Sequence, residues 1–118
     1  DVDVIVANGS GVPQADIQEA LAIHSFYMGS FGKLNVTALK PLTGNLVYAS
    51  GGVEAVIAVL IANKKTIPPV ANLNKPYPEC PLPLVKGKAR SAEVQFVMLN
   101  NFGLGGQNAS LVFKHVKT

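Results

Sequence analysis

Three short segments carry the polar residues whose types and spacing could do chemistry. They are Ala7-Asn8-Gly9-Ser10-Gly11, Lys40-Pro41-Leu42-Thr43-Gly44-Asn45 and Asn100-Asn101-Phe102-Gly103-Leu104-Gly105-Gly106-Gln107-Asn108. Each follows a strand-like run or precedes a helical one, and strand ends are where α/β proteins assemble sites. Their side chains offer amides, hydroxyls and one ammonium group. An Asn amide donates and accepts hydrogen bonds but cannot carry or transfer a proton near neutral pH. Elsewhere the reactive types read blandly. His24 continues the stripe of Ile17 and Leu21 on a helix, which is a packing position, and His115 lies in a basic tail. Cys80 sits in a proline-rich loop, and no His, Cys and carboxylate cluster has metal-ligand spacing. The glycines at 103, 105 and 106 precede a strand and not a helix, which argues against dinucleotide binding.

The elements that must hold these loops follow from the apolar pattern. Val2 to Ala7 reads as a buried strand, with Val4-Ile5-Val6 β-branched and the turn signal Asn8-Gly9 behind it. Pro13 suits the first turn of a helix to about Tyr27, with Ile17, Ala20 and Leu21 at helical spacing and Asp16 and Glu19 complementing its dipole. Leu34 to Ala38 makes a second short strand. The run from Leu46 to Ile61 has Glu54 as its only charge and predicts a helix to about Asn63, with Thr43 or Asn45 capping its first amides. A helix apolar all round needs protein or lipid about it. Two adjacent glycines, a central carboxylate and a short apolar length favour protein. The span from Ile67 to Pro83 holds six of the eight prolines and reads as an ordered, extended connection. Glu93 to Leu99 alternates as a strand with Val94, Phe96 and Met98 on one face. Asn100 to Asn108 is a loop, and Ala109 to His115 a last strand. The predicted order is β-α-β-α-loop-β-β.

Bulk properties bound the function. The 118 residues are 48% hydrophobic and only 14% charged, which describes a mostly buried segment. An N-terminal strand that starts almost at Asp1, with no initiator Met and no signal peptide, reads as a piece cut from a longer polypeptide. One cysteine excludes an internal disulfide and fits a cytoplasmic protein. The net charge of +3 is uneven: residues 60–118 hold eight of the ten Lys and Arg but two of the seven acids. That half could steer an acidic partner. No aromatic residues interleave with the basic ones, so nucleic-acid binding is not expected, nor is a membrane span.

Taken together, the motifs resemble the C-terminal half of β-ketoacyl synthases, condensing enzymes of the thiolase superfamily. The family's Asn-Ala-His-Gly-Thr-Ser-Thr falls on Val6-Ala7-Asn8-Gly9-Ser10-Gly11-Val12. Its Lys-Ser-x-Thr-Gly-His falls on Lys40-Pro41-Leu42-Thr43-Gly44-Asn45. Ile67-Pro68-Pro69, Asn72-Leu73 and Pro78-Glu79-Cys80 are similar to its connecting segment, and Asn101 to Phe113 to its C-terminal signature. The resemblance implies an α/β, thiolase-like C-terminal half over residues 1–118, a mixed sheet between helix layers, incomplete without the N-terminal half. In active members a cysteine of that missing half is acylated, and two histidines stabilise the enolate and oxyanion during decarboxylative condensation.

Here both histidine positions are asparagine, Asn8 and Asn45. Lys40 and Glu54 match a retained lysine and glutamate that as a buried pair would hold the loop, and Asp16 matches a residue supporting the first loop. Ser10 keeps one of two hydroxyls that meet the pantetheine arm, while Val12 replaces the other. Leu104 stands where an aromatic gate moves; Thr43 and Phe102 complete the expected pocket. The resemblance thus implies a non-condensing chain-length factor, with no catalytic residue of its own and no bound cofactor. Its partners would be an active ketosynthase subunit in a heterodimer, the N-terminal half of its own polypeptide, and acyl carrier protein bearing substrates on phosphopantetheine. The alternative is an acyl-transferring homologue using a cysteine in the missing half. A third class is a structural or binding module without acyl chemistry.

Overall fold

The computed structural model describes residues 2–117. Strands β1 (Val4–Ala7), β2 (Asn35–Ala38), β5 (Phe96–Phe102) and β6 (Asn108–Lys114) form one sheet in the order β2-β1-β5-β6. β1 runs parallel to both neighbours, and β5 and β6 form an antiparallel hairpin, so the sheet is mixed. Helix α1 (Pro13–Phe26) covers one face and α3 (Ser50–Lys64) the other. β1 is buried on both faces, as its unbroken Val-Ile-Val-Ala run requires of a central parallel strand. Val4, Val6, Val97 and Leu99 meet Ala58, Ile61 and Ala62 of α3. Ile5, Ala7 and Val36 meet Ile23 of α1.

The expected order holds, with additions. A single helical turn, α2 (Lys40–Thr43), and a 3-10 turn at Val47–Ala49 precede α3, which therefore starts later than its apolar pattern indicates. Two small strands, β3 (Thr66–Ile67) and β4 (Arg90–Ser91), pair with each other. The proline-rich connection is ordered and extended: Leu84 lies parallel beside Val36, exchanging backbone bonds with β2 through Pro83 and Val85.

Three boundaries move for physical reasons. β5 begins at Phe96, not Glu93, because the Asp3 carboxylate accepts the Gln95 and Phe96 amides at 2.8 and 2.9 Å and sets where pairing with β1 starts. Glu93 pairs at the surface with Lys65. Val94 consequently packs on the α3 side with Val97 and Leu99, while Met98 packs on the α1 side. The glycine-rich loop shrinks to 103–107, closed by the Gly103 amide on the Gln107 carbonyl at 2.7 Å. On α1 the inward residues are Glu19, Ala20 and Ile23, whereas Leu21 is exposed.

α3 is half covered within these residues. Glu54, Ala58, Ile61 and Ala62 are buried, and Val53, Val56, Val59 and Leu60 are exposed. By length and composition alone the span Val47–Lys64 would suit a membrane crossing. Its inner face is packed on the sheet, and its one acidic residue, Glu54, is buried beside Lys40.

The end of β1 meets the end of β2 closely. A Cβ on Gly9 would lie 2.6 Å from the Ala38 Cβ, and Gly9 has φ of +46°. Gly9→Ala is expected to lower the stability of the full-length polypeptide by about 1–3 kcal/mol, read as a fall in urea midpoint at unchanged slope.

Candidate functional site

The carboxyl ends of β1, β2 and β5 place their loops on one side of the sheet, where Asn8, Lys40 and Asn101 converge. The Lys40 ammonium donates to the Glu54 carboxylate at 2.8 Å, to the Asn8 carbonyl at 2.7 Å and to the Asn8 side-chain oxygen at 3.3 Å. Asn101 donates its amide to the other Glu54 oxygen at 2.6 Å. Lys40 and Glu54 are buried, with side chains 7% and 1% exposed. The pair is thus satisfied on both sides, the condition under which a buried charge pair is tolerated. It ties the β1 loop, α2, α3 and β5 together.

A second carboxylate holds the same loop from below. Glu19 of α1 accepts the Asn8 amide at 2.9 Å and the Gly9 amide at 3.1 Å, and Asn100 donates to it at 3.4 Å. Asn100 in turn accepts from the Ser110 hydroxyl at 2.8 Å. Burial raises the Glu19 pKa, outweighing these hydrogen bonds, which lower it, and the nearby Asp16 charge adds a smaller upward push. Asp16 supports the loop as expected: its oxygens accept the Ser10 amide at 2.8 Å, the Ser10 hydroxyl at 3.1 Å and the Gly11 amide at 3.0 Å.

A cavity of about 550 Å³ opens above the pair, lined by Asn8, Ser10, Lys40, Asn45, Ser50, Asn101, Phe102 and Leu104, with Val47, Tyr48 and part of the glycine-rich hairpin. Both Asn8 and Asn45 line it. The Asn8 oxygen also accepts the Phe102 amide at 3.2 Å. Asn45 does not cap α3. Its oxygen accepts the Val47 amide at 3.0 Å and the Ser50 hydroxyl at 3.3 Å, shaping the turn before the helix. Thr43 neither caps nor lines the cavity; its hydroxyl donates to the Gly44 carbonyl at 2.9 Å and the Leu39 carbonyl at 3.3 Å.

The remaining reactive residues lie elsewhere. His24 stands edge-on to Phe31 with ring centroids 5.8 Å apart, and the His115 ring faces Asn63. Cys80 borders a separate apolar cavity of about 140 Å³ beneath the proline-rich connection. Burial pushes its thiol up from its ordinary value of 9.0, the reverse of an activated nucleophile. Among the described residues no group of three His, Cys, Asp or Glu side chains could hold a metal ion. The sequence does not mark Glu19 and Ser50 as site residues. The signal for Glu19 was its place one residue before Ala20 on the buried face.

The family description "Beta-ketoacyl synthase, C-terminal domain" matches residues 1–74. The chain belongs to the β-ketoacyl synthase family. A similar curated relative is 3-oxoacyl-[acyl-carrier-protein] synthase 2 of Coxiella burnetii, 41% identical over 98% of this chain. This chain spans only 28% of that relative's length. The solved ishigamide ketosynthase/chain length factor superposes with a TM-score of 0.91 at 29% identity, covering 98% of this chain and 28% of that one. AntDE:AntF, a type II PKS acyl-carrier protein in complex with its ketosynthase bound to the hexaketide, gives 0.90 at 30% identity over 98% of this chain and 28% of that one. The mixed sheet between two helices is therefore the C-terminal half of a ketosynthase fold. The ketosynthase relatives named include both a synthase and a chain-length-factor complex.

Two predictions follow from the charges. In the full-length polypeptide, Lys40→Met leaves Glu54 without its cation and is expected to cost about 3–5 kcal/mol. Adding Glu54→Leu should restore part of that loss, a coupling read by a double-mutant cycle in urea. Glu19 sets a pH dependence. Its folded pKa lies above its ordinary 4.5, so its stabilisation is complete below that value and is lost as pH rises through the folded pKa. Glu19→Gln should flatten the decline of the urea midpoint across that window.

Proposed function

We propose that this segment is the C-terminal part of a non-condensing ketosynthase-like subunit, a chain-length factor, that pairs with an active β-ketoacyl synthase and bounds the tunnel in which its acyl chain grows. The observation that carries this reading is the pair Asn8 and Asn45 on the wall of one cavity. Decarboxylative condensation needs donors that stabilise the enolate and oxyanion in the transition state and a group that can handle a proton. An amide can donate a proton's hydrogen bond but cannot give the proton up. Both side-chain oxygens are, besides, already engaged: Asn8 accepts from the Lys40 ammonium and the Phe102 amide, and Asn45 from the Val47 amide and the Ser50 hydroxyl. What remains is a shaped space lined by Ser10, Phe102 and Leu104, with no imidazole or carboxylate among the described lining residues and its one ammonium, Lys40, held by Glu54.

On this proposal the substrate arrives on the phosphopantetheine arm of an acyl carrier protein, the protein has no cofactor of its own, and it works in the cytoplasm. The N-terminal part of its polypeptide covers the exposed Val53, Val56, Val59 and Leu60 face of α3. The likeness to the ishigamide and AntDE:AntF structures supports the pairing with a ketosynthase.

The 41% identity to a synthase favours one second reading, an acyl-transferring homologue with a cysteine nucleophile in the N-terminal part. One experiment separates them. The full-length polypeptide is incubated with acyl- and malonyl-carrier protein, alone and with its ketosynthase, and products and covalent adducts are read by mass spectrometry. The expected result is no carbon dioxide release, no adduct and no elongation by the polypeptide alone. Elongation should appear with the ketosynthase and vanish when that enzyme's nucleophilic cysteine is replaced. Elongation by the polypeptide alone overturns the proposal; an acyl adduct on it without elongation establishes the second reading.

A further inference from the structure

The turn between α2 and α3 holds a residue in a conformation its side chain disfavours. Val47 has φ of +53°, in the left-handed region that β-branched residues avoid. Such strain persists only where surrounding contacts determine it, and it gathers at functional sites. The contacts are specific. The Asn45 side-chain oxygen accepts the Val47 amide at 3.0 Å, the buried Ser50 hydroxyl donates to that same oxygen at 3.3 Å, and the Leu46 amide donates to the Ser50 hydroxyl oxygen at 3.0 Å. Ala49 closes the turn on the Leu46 carbonyl at 3.1 Å.

The left-handed residue determines where the next side chain goes. That side chain is Tyr48, which lines the 550 Å³ cavity yet is fully exposed, with no packing of its own in this segment. Backbone geometry, not side-chain contacts, therefore sets the direction of its Cα–Cβ bond. It is the largest side chain there, and it shares the apolar lining with Phe102 and Leu104. An acyl chain crossing the cavity meets an aromatic ring with two rotatable bonds, hung from a clamped turn, and the bulk of that ring takes up space the chain would otherwise fill.

We propose that Tyr48 is a specificity-determining residue that limits how long an acyl chain the cavity accepts, and that Asn45 is a positioning residue that keeps it there by clamping Val47. Asn45 thereby has a structural task of its own at a position where catalysis would need an imidazole. This inference rests on the reading of the cavity as an acyl-chain site, but not on whether the polypeptide condenses.

The test uses the full-length polypeptide and a series of saturated acyl-pantetheine thioesters from short to long, with affinity measured by calorimetry. The parent should bind progressively tighter with chain length and then lose at least tenfold in affinity past a cut-off. Tyr48→Ala should move that cut-off to longer chains, and Tyr48→Phe, which keeps the ring, should retain it. Asn45→Ala should blur the cut-off, whereas Asn45→Asp, which keeps the acceptor oxygen, should preserve it. Urea midpoints measured on each full-length variant separate an effect on length from one on folding. A cut-off unmoved by Tyr48→Ala overturns this proposal while leaving the chain-length-factor reading standing. Failure of every thioester to bind overturns both.

Discussion

The buried contact between Lys40 and Glu54 is the constraint on which the rest of the site depends. One ammonium group reaches a carboxylate on α3 and a carbonyl at the end of β1, while a strand residue, Asn101, completes the carboxylate. Remove any of these and a buried charge lacks part of its solvation. Glu19 supplies the counterpart from the opposite helix. The backbone of Asn8 is consequently gripped by ionisable groups at both its N–H, through Glu19, and its C=O, through Lys40. The sheet's two helix layers are coupled through this single residue as well as through apolar packing.

That arrangement leaves every buried polar side chain of the site satisfied without an imidazole. Asn8 is small enough to remain buried, and its oxygen finds two donors, so the loop suffers no orphaned polar group. Asn45 is compatible for a different reason: its short side chain folds back to a backbone amide two residues on, as asparagine does in turns. Both amides supply local order. In the surrounding scaffold, from the ion pair to the hairpin, the contacts described make no use of an imidazole.

Much of the fold could be read from the residues because its strands are short, apolar and bounded by turn signals. Val4-Ile5-Val6, the proline that opens α1 and the apolar run into α3 each have a local cause. What escaped reading depends on distant partners. Nothing near Gln95 reveals that Asp3 will take its amide, so the start of β5 was set too early. Glu19 looked like a dipole complement because its carboxylate's partners, Asn8 and Gly9, lie 10 or more positions away. The Lys40–Glu54 pair and the two asparagines were legible through family resemblance. The bonding of Thr43 is not legible either, because α2, a single turn before Gly44, directs its hydroxyl to backbone.

Strand order carries a consequence for synthesis. β1 lies between β2 and β5, and its Val4 pairs with Val97. A nascent chain leaving the ribosome cannot close this sheet until β5 has emerged, since domains assemble as units and non-local pairings form late. Until then one flank of a wholly apolar strand stays open, and the Asn8 loop lacks the amide of Phe102. The early product therefore carries an unpaired apolar strand edge, and a translational pause before residue 96 would lengthen the time it stays open.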